Sequence, residues 1–239
     1  MSILRAFLPC FLLSYCFQAL YGSQKPVKPG LPVLDINAYE KLIVHYRYNR
    51  PDSALFFVNL GMKLAKSTKD EEGVARMLNQ MGMIDDNSGN AVSSRQHYLE
   101  ALEIYKRLNN YKGIIKENIR LGVVENRKGS SATATPYFLQ ALKISEQNKD
   151  KSGIMESYIT LGEVHAFRHD YQLAISYYKR AEAIGTTLPF SSLKLNTFLN
   201  FGTAYRETGD LAKAIYYFEK GISQSDYPEM MGLNISLTI

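Results

Sequence analysis

Small and apolar residues recur along the chain at a spacing of 40 residues. A glycine that follows an apolar residue is followed twelve residues later by a small residue. A large aromatic residue comes four residues after that, and another small residue three residues further on. The four columns are Gly82, Gly122, Gly162 and Gly202; Ser94, Ala134, Ala174 and Ala214; Tyr98, Phe138, Tyr178 and Phe218; and Ala101, Ala141, Ala181 and Gly221. A fixed period of this length predicts a repeat architecture. A degenerate earlier copy, with Leu42, Ala54, Val58 and Gly61, brings the predicted total to five repeats over residues 35–234.

Within each copy, spacings of three and four place these residues on single helical faces. Each repeat is therefore predicted to be a pair of antiparallel helices. Glycine and alanine let two helices cross closely, and the neighbouring ring fills the space beside the crossing. Turn residues predict short breaks within each pair at 87–90, 128–130, 169–170 and 208–210. Longer polar connections such as 148–153 are expected between pairs, and Pro136 is expected in the first turn of a second helix.

The two ends of the chain differ from this pattern. Residues 1–24 contain one charge, Arg5, and an apolar run of 15 residues, which predicts a secretory signal peptide. The run is too short to cross a bilayer, for which about 20 residues are needed. An uncleaved anchor and a lipid anchor at Cys16 are the alternatives. Residues 25–34 are predicted to be a proline-rich linker, and residues 235–239 the start of an incomplete sixth repeat.

Composition adds little to this picture. The chain has 28 basic and 23 acidic residues, a net charge of +5, and 46% hydrophobic residues, which is typical of a globular protein. The excess of positive charge is spread along the chain, so it suits an acidic partner without requiring one. Both cysteines, Cys10 and Cys16, lie in the predicted signal peptide, and no disulfide framework is expected.

The columns resemble the tetratricopeptide repeat (TPR) family, in which an apolar-Gly pair is followed by Ala, an aromatic residue and Ala. The fourth copy shows this as Leu161-Gly162, Ala174, Tyr178 and Ala181. The period of 40 exceeds the commonest family length of 34 and suggests a long-repeat variant, and the proline that usually closes the unit is absent. The resemblance implies an all-α fold, a right-handed α-solenoid of antiparallel helix pairs with a concave groove. A signal peptide followed by such repeats also resembles the extracytoplasmic region of bacterial TPR-containing sensor kinases and helix-turn-helix regulators.

The same resemblance places the groove lining on the first helix of each pair. The predicted partner-binding residues are Arg76, Asn79, Lys116, Arg120 and Asn126. Family members that hold a peptide carboxylate use Lys, Asn, Asn, Lys and Arg in three successive copies, and Lys116 and Arg120 match the last two. Tyr39, Ile43 and Gln80 stand where the other three would be. The prediction is a basic patch of Arg76, Lys116 and Arg120 that binds an acidic peptide through charge-assisted hydrogen bonds, and the alternative is a solvated helix face.

Other chemistry finds little support in the sequence. His165 and His169 have the spacing of a metal pair on a helix, but the repeat register assigns them packing and surface roles. Ser191 and Lys194 match the Ser-x-x-Lys spacing of some acyl-enzymes without a companion motif. We therefore predict no catalytic residue, metal, cofactor or nucleic-acid partner. The predicted function is a non-enzymatic exported scaffold, periplasmic or extracellular, that binds a peptide or protein. The alternative is the truncated input region of a bacterial TPR-containing histidine kinase or helix-turn-helix regulator.

Overall fold

The computed structural model describes residues 34–224. The predicted signal peptide, the linker up to residue 33 and the predicted sixth repeat lie outside this part of the chain. Residues 34–224 form ten α-helices: α1 Ile36–Tyr46, α2 Pro51–Ser67, α3 Glu71–Asn87, α4 Ala91–Arg107, α5 Tyr111–Arg127, α6 Ser131–Gln147, α7 Lys151–Phe167, α8 Tyr171–Gly185, α9 Ser192–Glu207 and α10 Leu211–Gln224. Each odd-numbered helix packs most extensively on the even-numbered helix that follows it. The predicted all-α solenoid of helix pairs is confirmed.

The connectors explain why helices start at regular intervals. From α3 to α7 every helix has 17 residues and every connector has three, so α3, α5 and α7 begin 40 residues apart. The middle connector residue is left-handed, as at Gly129 with φ of 79°, which ends the preceding helix. The third is often Asp or Asn, and its side chain caps the next helix; Asp70, for example, accepts a hydrogen bond of 2.8 Å from the backbone N–H of Gly73.

These connectors correct one expectation about the links between pairs. The stretch 148–153 is not a long connection, because α6 ends at Gln147 and α7 begins at Lys151. Asp150 caps α7 by accepting from the N–H of Gly153, so the glycine belongs to the helix. Among the described residues the longest link is instead 186–191, between α8 and α9.

In the four pairs from α3 to α10, the core is formed where the glycine column meets the ring column. A Cβ atom added to Gly82 would lie 2.5 Å from the Tyr98 ring, and one added to Gly122 would lie 2.5 Å from the Phe138 ring. Gly162 and Gly202 approach Tyr178 and Phe218 in the same way. The small residues Ala134, Ala174 and Ala214 are buried at the same crossings. Any side chain at these glycines would collide with a ring, so the column sets the distance between the paired helices.

Pro136 does not lie in the first turn of α6, as expected from the sequence. The helix begins at Ser131, so the proline is its sixth residue and removes the N–H that would bond to the carbonyl of Ala132. Pro136 is exposed, and the hydroxyl of Thr135 donates to the carbonyl of Ser131 at 2.8 Å one turn earlier. The interior position predicts a local cost in stability, because a helix interior favours a residue with an N–H donor.

The repeats stack so that their first helices form a common surface. The backbones of α1 and α3, of α5 and α7, and of α7 and α9 approach each other directly, whereas second helices mainly contact their neighbours in sequence. We call the surface formed by α1, α3, α5, α7 and α9 the groove. In the described part of the chain no helix combines the length and the apolar character needed to cross a membrane.

Candidate functional site

Polar side chains bridge successive first helices along the groove. Arg76 of α3 reaches back to α1, Asn79 of α3 reaches forward to Glu117 of α5, and Asn200 of α9 reaches back to Glu163 of α7. These bridges decide which of the predicted binding residues carry an uncompensated charge.

The positive charge of Arg76 is already compensated. Its guanidinium forms an ion pair with Glu40 and donates a hydrogen bond of 2.6 Å to the side-chain oxygen of Asn37. The hydrogen bond to Glu40 raises the pKa of Arg76 further above its usual value. Glu40 would compete with an acidic ligand for this arginine.

Asn79 lies below the surface that the sequence assigned to it. The residue is fully buried, and its amide nitrogen donates to both carboxylate oxygens of Glu117, at 2.8 and 3.0 Å. The amide oxygen of Asn79 is buried without a hydrogen-bond partner among the described residues. Asn79 therefore holds a neighbouring side chain instead of facing a ligand directly.

Lys116 and Arg120 are two cations of the groove that have no direct partner. Both are half-buried on α5, and within residues 34–224 neither donates a hydrogen bond nor forms an ion pair. Desolvation lowers the pKa of Lys116, although nearby Glu117 acts in the opposite direction. Two half-buried positive charges without a direct ion pair form a site that favours an anionic group.

The adjoining part of the groove is acidic. Desolvation raises the pKa of Glu156 on α7, and the attraction of Arg120 and Lys116 offsets part of that increase. Glu163, about two turns further along α7, accepts a hydrogen bond of 3.0 Å from Asn200. Its carboxylate is accessible from the groove, yet protein surrounds it on most sides, and this desolvation raises its pKa. The groove thus passes from a basic segment on α5 to an acidic segment on α7.

Asn126, the fifth predicted residue, lies at the end of the groove where α5 meets α6. Its side-chain oxygen accepts a hydrogen bond of 3.2 Å from the hydroxyl of Ser131, the first residue of α6. This contact gives Asn126 a part in the turn. Lys116 and Arg120 are one helical turn apart, but Asn126 is well removed from them along α5.

Sequence reasoning missed Glu117, the buried carboxyl beneath the two free cations. A signal for it was present, because the same position in the other copies holds Met77, Ser157 and Thr197, none of which carries a charge. Glu117 is fully buried, as are the other three. A charged residue in an otherwise uncharged and buried column is unusual enough to mark a functional feature.

The histidines behave as packing and turn residues. His165 stacks on Tyr177 with ring centroids 5.4 Å apart, and its Nδ1 lies 3.6 Å from an oxygen of Asp170. His169 is the left-handed residue of the connector after α7, with φ of 62°. Over the residues that the structure describes, no three His, Cys, Asp or Glu side chains are grouped closely enough to hold a metal ion.

Family models for the tetratricopeptide repeat match residues 74–112, 114–187 and 195–226, which together make up more than half of the chain. The chain belongs to the tetratricopeptide repeat family. TPR domains are typically non-enzymatic scaffolds for protein interactions, and this membership supports such a role here. No curated protein sequence matches the chain.

Several solved structures share the TPR fold. BtubC (BKLC) from P. vanneervenii is 16% identical with a TM-score of 0.57, over 85% of this chain and 94% of that one. A Rap protein complexed with Competence and Sporulation Factor is 18% identical with a TM-score of 0.69, over 78% of this chain and 52% of that one. A signal transduction ATPase with a tetratricopeptide repeat sensor, from Pyrococcus horikoshii, is 18% identical with a TM-score of 0.61, over 78% of this chain and 28% of that one. The chain thus spans about half of the Rap structure and less of the ATPase.

Proposed function

We propose that this TPR protein is an exported, non-enzymatic scaffold that binds an acidic peptide segment in its groove. The observation that carries the proposal is the pair of half-buried cations, Lys116 and Arg120, which have no counter-ion in contact within the described residues. The charge of an approaching carboxylate offsets the cost of desolvating Lys116, so the pair gains more from an anionic ligand than exposed lysines would.

The binding mode follows from the shape and charges of the groove. An extended segment would lie across α3, α5 and α7, with a carboxylate between Lys116 and Arg120. Glu156 and Glu163 would repel a second carboxylate on the α7 side. We therefore expect a segment whose acidic residue is followed by neutral or basic residues in the direction of α7.

Fluorescence anisotropy with defined peptides tests this function. Three labelled peptides would be identical except for Glu, Gln or Lys at one central position. We expect the Glu peptide to bind at least about tenfold more tightly than the Gln peptide, since a charge-assisted hydrogen bond contributes about 1.5–3 kcal/mol.

Changing Lys116 and Arg120 together to alanine should remove this preference. The matched control changes Lys143 and Lys179, exposed lysines of the second helices α6 and α8, to alanine and should retain the preference. Equal affinity of the wild-type protein for all three peptides would overturn the proposed ligand class.

Export to the periplasm or the cell exterior is part of the proposal and is supported by the apolar run near the amino terminus. Cell fractionation with amino-terminal sequencing of the recovered protein tests it. A cytoplasmic protein that retains residues 1–24 would contradict it, and recovery with the membrane would favour an uncleaved signal or lipid anchor.

A second candidate function is the input region of a signalling protein. The structural similarity to an ATPase in which TPR repeats form a sensor favours this alternative. Immunoblotting of source cells with an antibody against residues 34–224 distinguishes the two, because a signalling protein would migrate well above the 27.1 kDa of this chain.

A further inference from the structure

Glu117 lies fully buried on α5, between the two groove cations Lys116 and Arg120 in sequence. Its hydrogen bonds within the described residues come from one amide group, the side chain of Asn79 on α3. Neither cation touches the carboxylate, since no ion pair with Glu117 forms in this part of the chain. The carboxyl is thus enclosed beneath the groove with a neutral donor as its contact.

This environment disfavours the ionised form of Glu117. Removing a carboxylate from water costs several kcal/mol, and one amide donor offsets part of that cost. Burial raises the pKa of Glu117 to about 7, and the hydrogen bond from Asn79 and the attraction of Lys116 and Arg120 act against this increase. The carboxyl therefore changes its charge close to neutral pH.

The other helices around Glu117 supply no group that would hold its charge constant. From α4, Tyr98 and Tyr105 interact with it, and burial raises the pKa of both phenols, so they remain neutral. From α6, Phe138 is buried in one apolar cluster with Ile115 and Ile119 of α5. Lys116 also interacts with Glu156 of α7 and with Glu40 of α1, and Glu40 is paired with Arg76.

The Asn79–Glu117 pair occurs at one position of the stack. Moving both residues forward by 40 gives Ile119 and Ser157, and moving them by 80 gives Ile159 and Thr197. The fold therefore accommodates an uncharged pair at this position, and stacking of the repeats alone does not require Asn79 or Glu117.

We propose that Glu117 is a specificity-determining residue of the groove, and that capture of an acidic peptide is coupled to uptake of one proton by its carboxyl. This inference rests on the proposed binding of an acidic segment at Lys116 and Arg120. Together, the side chains of Lys116, Arg120 and Glu117 have a net charge of +1 when Glu117 is ionised and of +2 when it is protonated. A ligand carboxylate repels the ionised form, so ligand and proton strengthen each other's binding by the same factor. The proton comes from solvent, and no covalent step is involved.

The test is the pH dependence of binding of the labelled Glu peptide by the full chain. We expect the dissociation constant to be about tenfold lower near pH 5.5 than near pH 8.5, as one charge is removed within several ångströms of the ligand. The peptide carboxylate remains ionised in this range. Calorimetry near pH 7 in two buffers of different ionisation enthalpy should show uptake of about half a proton.

Two variants separate Glu117 from other titrating groups. Glu117→Gln should bind tightly with a nearly flat pH profile, because the variant differs from the wild type in this one titrating group. Asn79→Ile combined with Glu117→Ser reproduces the pair found one repeat later and should also flatten the profile. If the wild type and Glu117→Gln show the same pH dependence while both bind, the coupling is refuted and the proposed function stands. Absence of Glu-peptide binding at every pH overturns both.

Discussion

Replacing Glu117 with glutamine should change how the stability of the protein depends on pH. Glutamine has nearly the shape of the protonated acid, and its oxygen can still accept the hydrogen bond from Asn79. The substitution therefore removes one titration and preserves the packing beneath the groove.

The magnitude follows from the two pKa values of the carboxyl. The pKa rises from 4.5 for an unperturbed glutamate to about 7 in the folded protein. Each unit between these two pKa values corresponds to about 1.4 kcal/mol, so the free energy of unfolding falls by about 3 kcal/mol when Glu117 ionises in the folded protein. Because the folded pKa is raised, this stabilisation is fully present below about pH 4.5 and is lost as the pH rises through about 7.

Urea denaturation followed by circular dichroism measures the effect. The free energy of unfolding of the wild type minus that of Glu117→Gln should fall by about 3 kcal/mol from about pH 4.5 to about pH 8. Other carboxylates titrate in both proteins, so their contributions cancel in the difference. A difference that stays constant within about 1 kcal/mol would show that Glu117 is not desolvated as the structure indicates.

Four other variants can be checked by the same denaturation assay. Gly162→Leu should destabilise the stack by about 3 kcal/mol or more, because the new side chain collides with the Tyr178 ring. A denaturation curve like that of the wild type would refute the assignment of Gly162 to a close helix crossing. Arg120→Ala should change the free energy of unfolding by less than about 0.5 kcal/mol. Pro136→Ala should add about 1–3 kcal/mol by restoring a helix donor, and unchanged stability would mean that α6 avoids this cost. His169→Gly should add about 1 kcal/mol by relieving a positive φ, although it removes the contact of His169 with the hydroxyl of Tyr171; a lower stability would show that the contact outweighs the strain.

The sequence was sufficient to predict the helix pairs because the residues that pack them recur in four copies. Gly122 faces Phe138 because only a missing side chain permits that approach, and the same requirement recurs at Gly82, Gly162 and Gly202. The connectors were less predictable, since Lys149 takes the left-handed conformation that glycine takes elsewhere. A lysine carries no sequence signal for that role, so the link between α6 and α7 was expected to be longer than it is.

Pairing between repeats could not be predicted from the period. The ion pair of Arg76 with Glu40 joins residues 36 positions apart, and the bond from Asn79 to Glu117 joins residues 38 apart. These offsets depend on the tilt between successive first helices, which a period of 40 does not specify. Lys116 and Arg120 could therefore be predicted as groove residues from the sequence. Only the structure shows that Arg76 is paired, and that Lys116 and Arg120 are the charged residues of the predicted five without an ion pair in the described part of the chain.

The most direct test of the central claim is a reversal of charge in the groove. Lys116 and Arg120 would be changed together to glutamate, with Lys143 and Lys179 changed to glutamate as the control, and each protein would be titrated with the Glu and Lys peptides. We expect the groove variant to lose the Glu peptide and to prefer the Lys peptide, while the control variant binds as the wild type does. If the groove variant keeps the wild-type preference for the Glu peptide, acidic segments do not bind at Lys116 and Arg120.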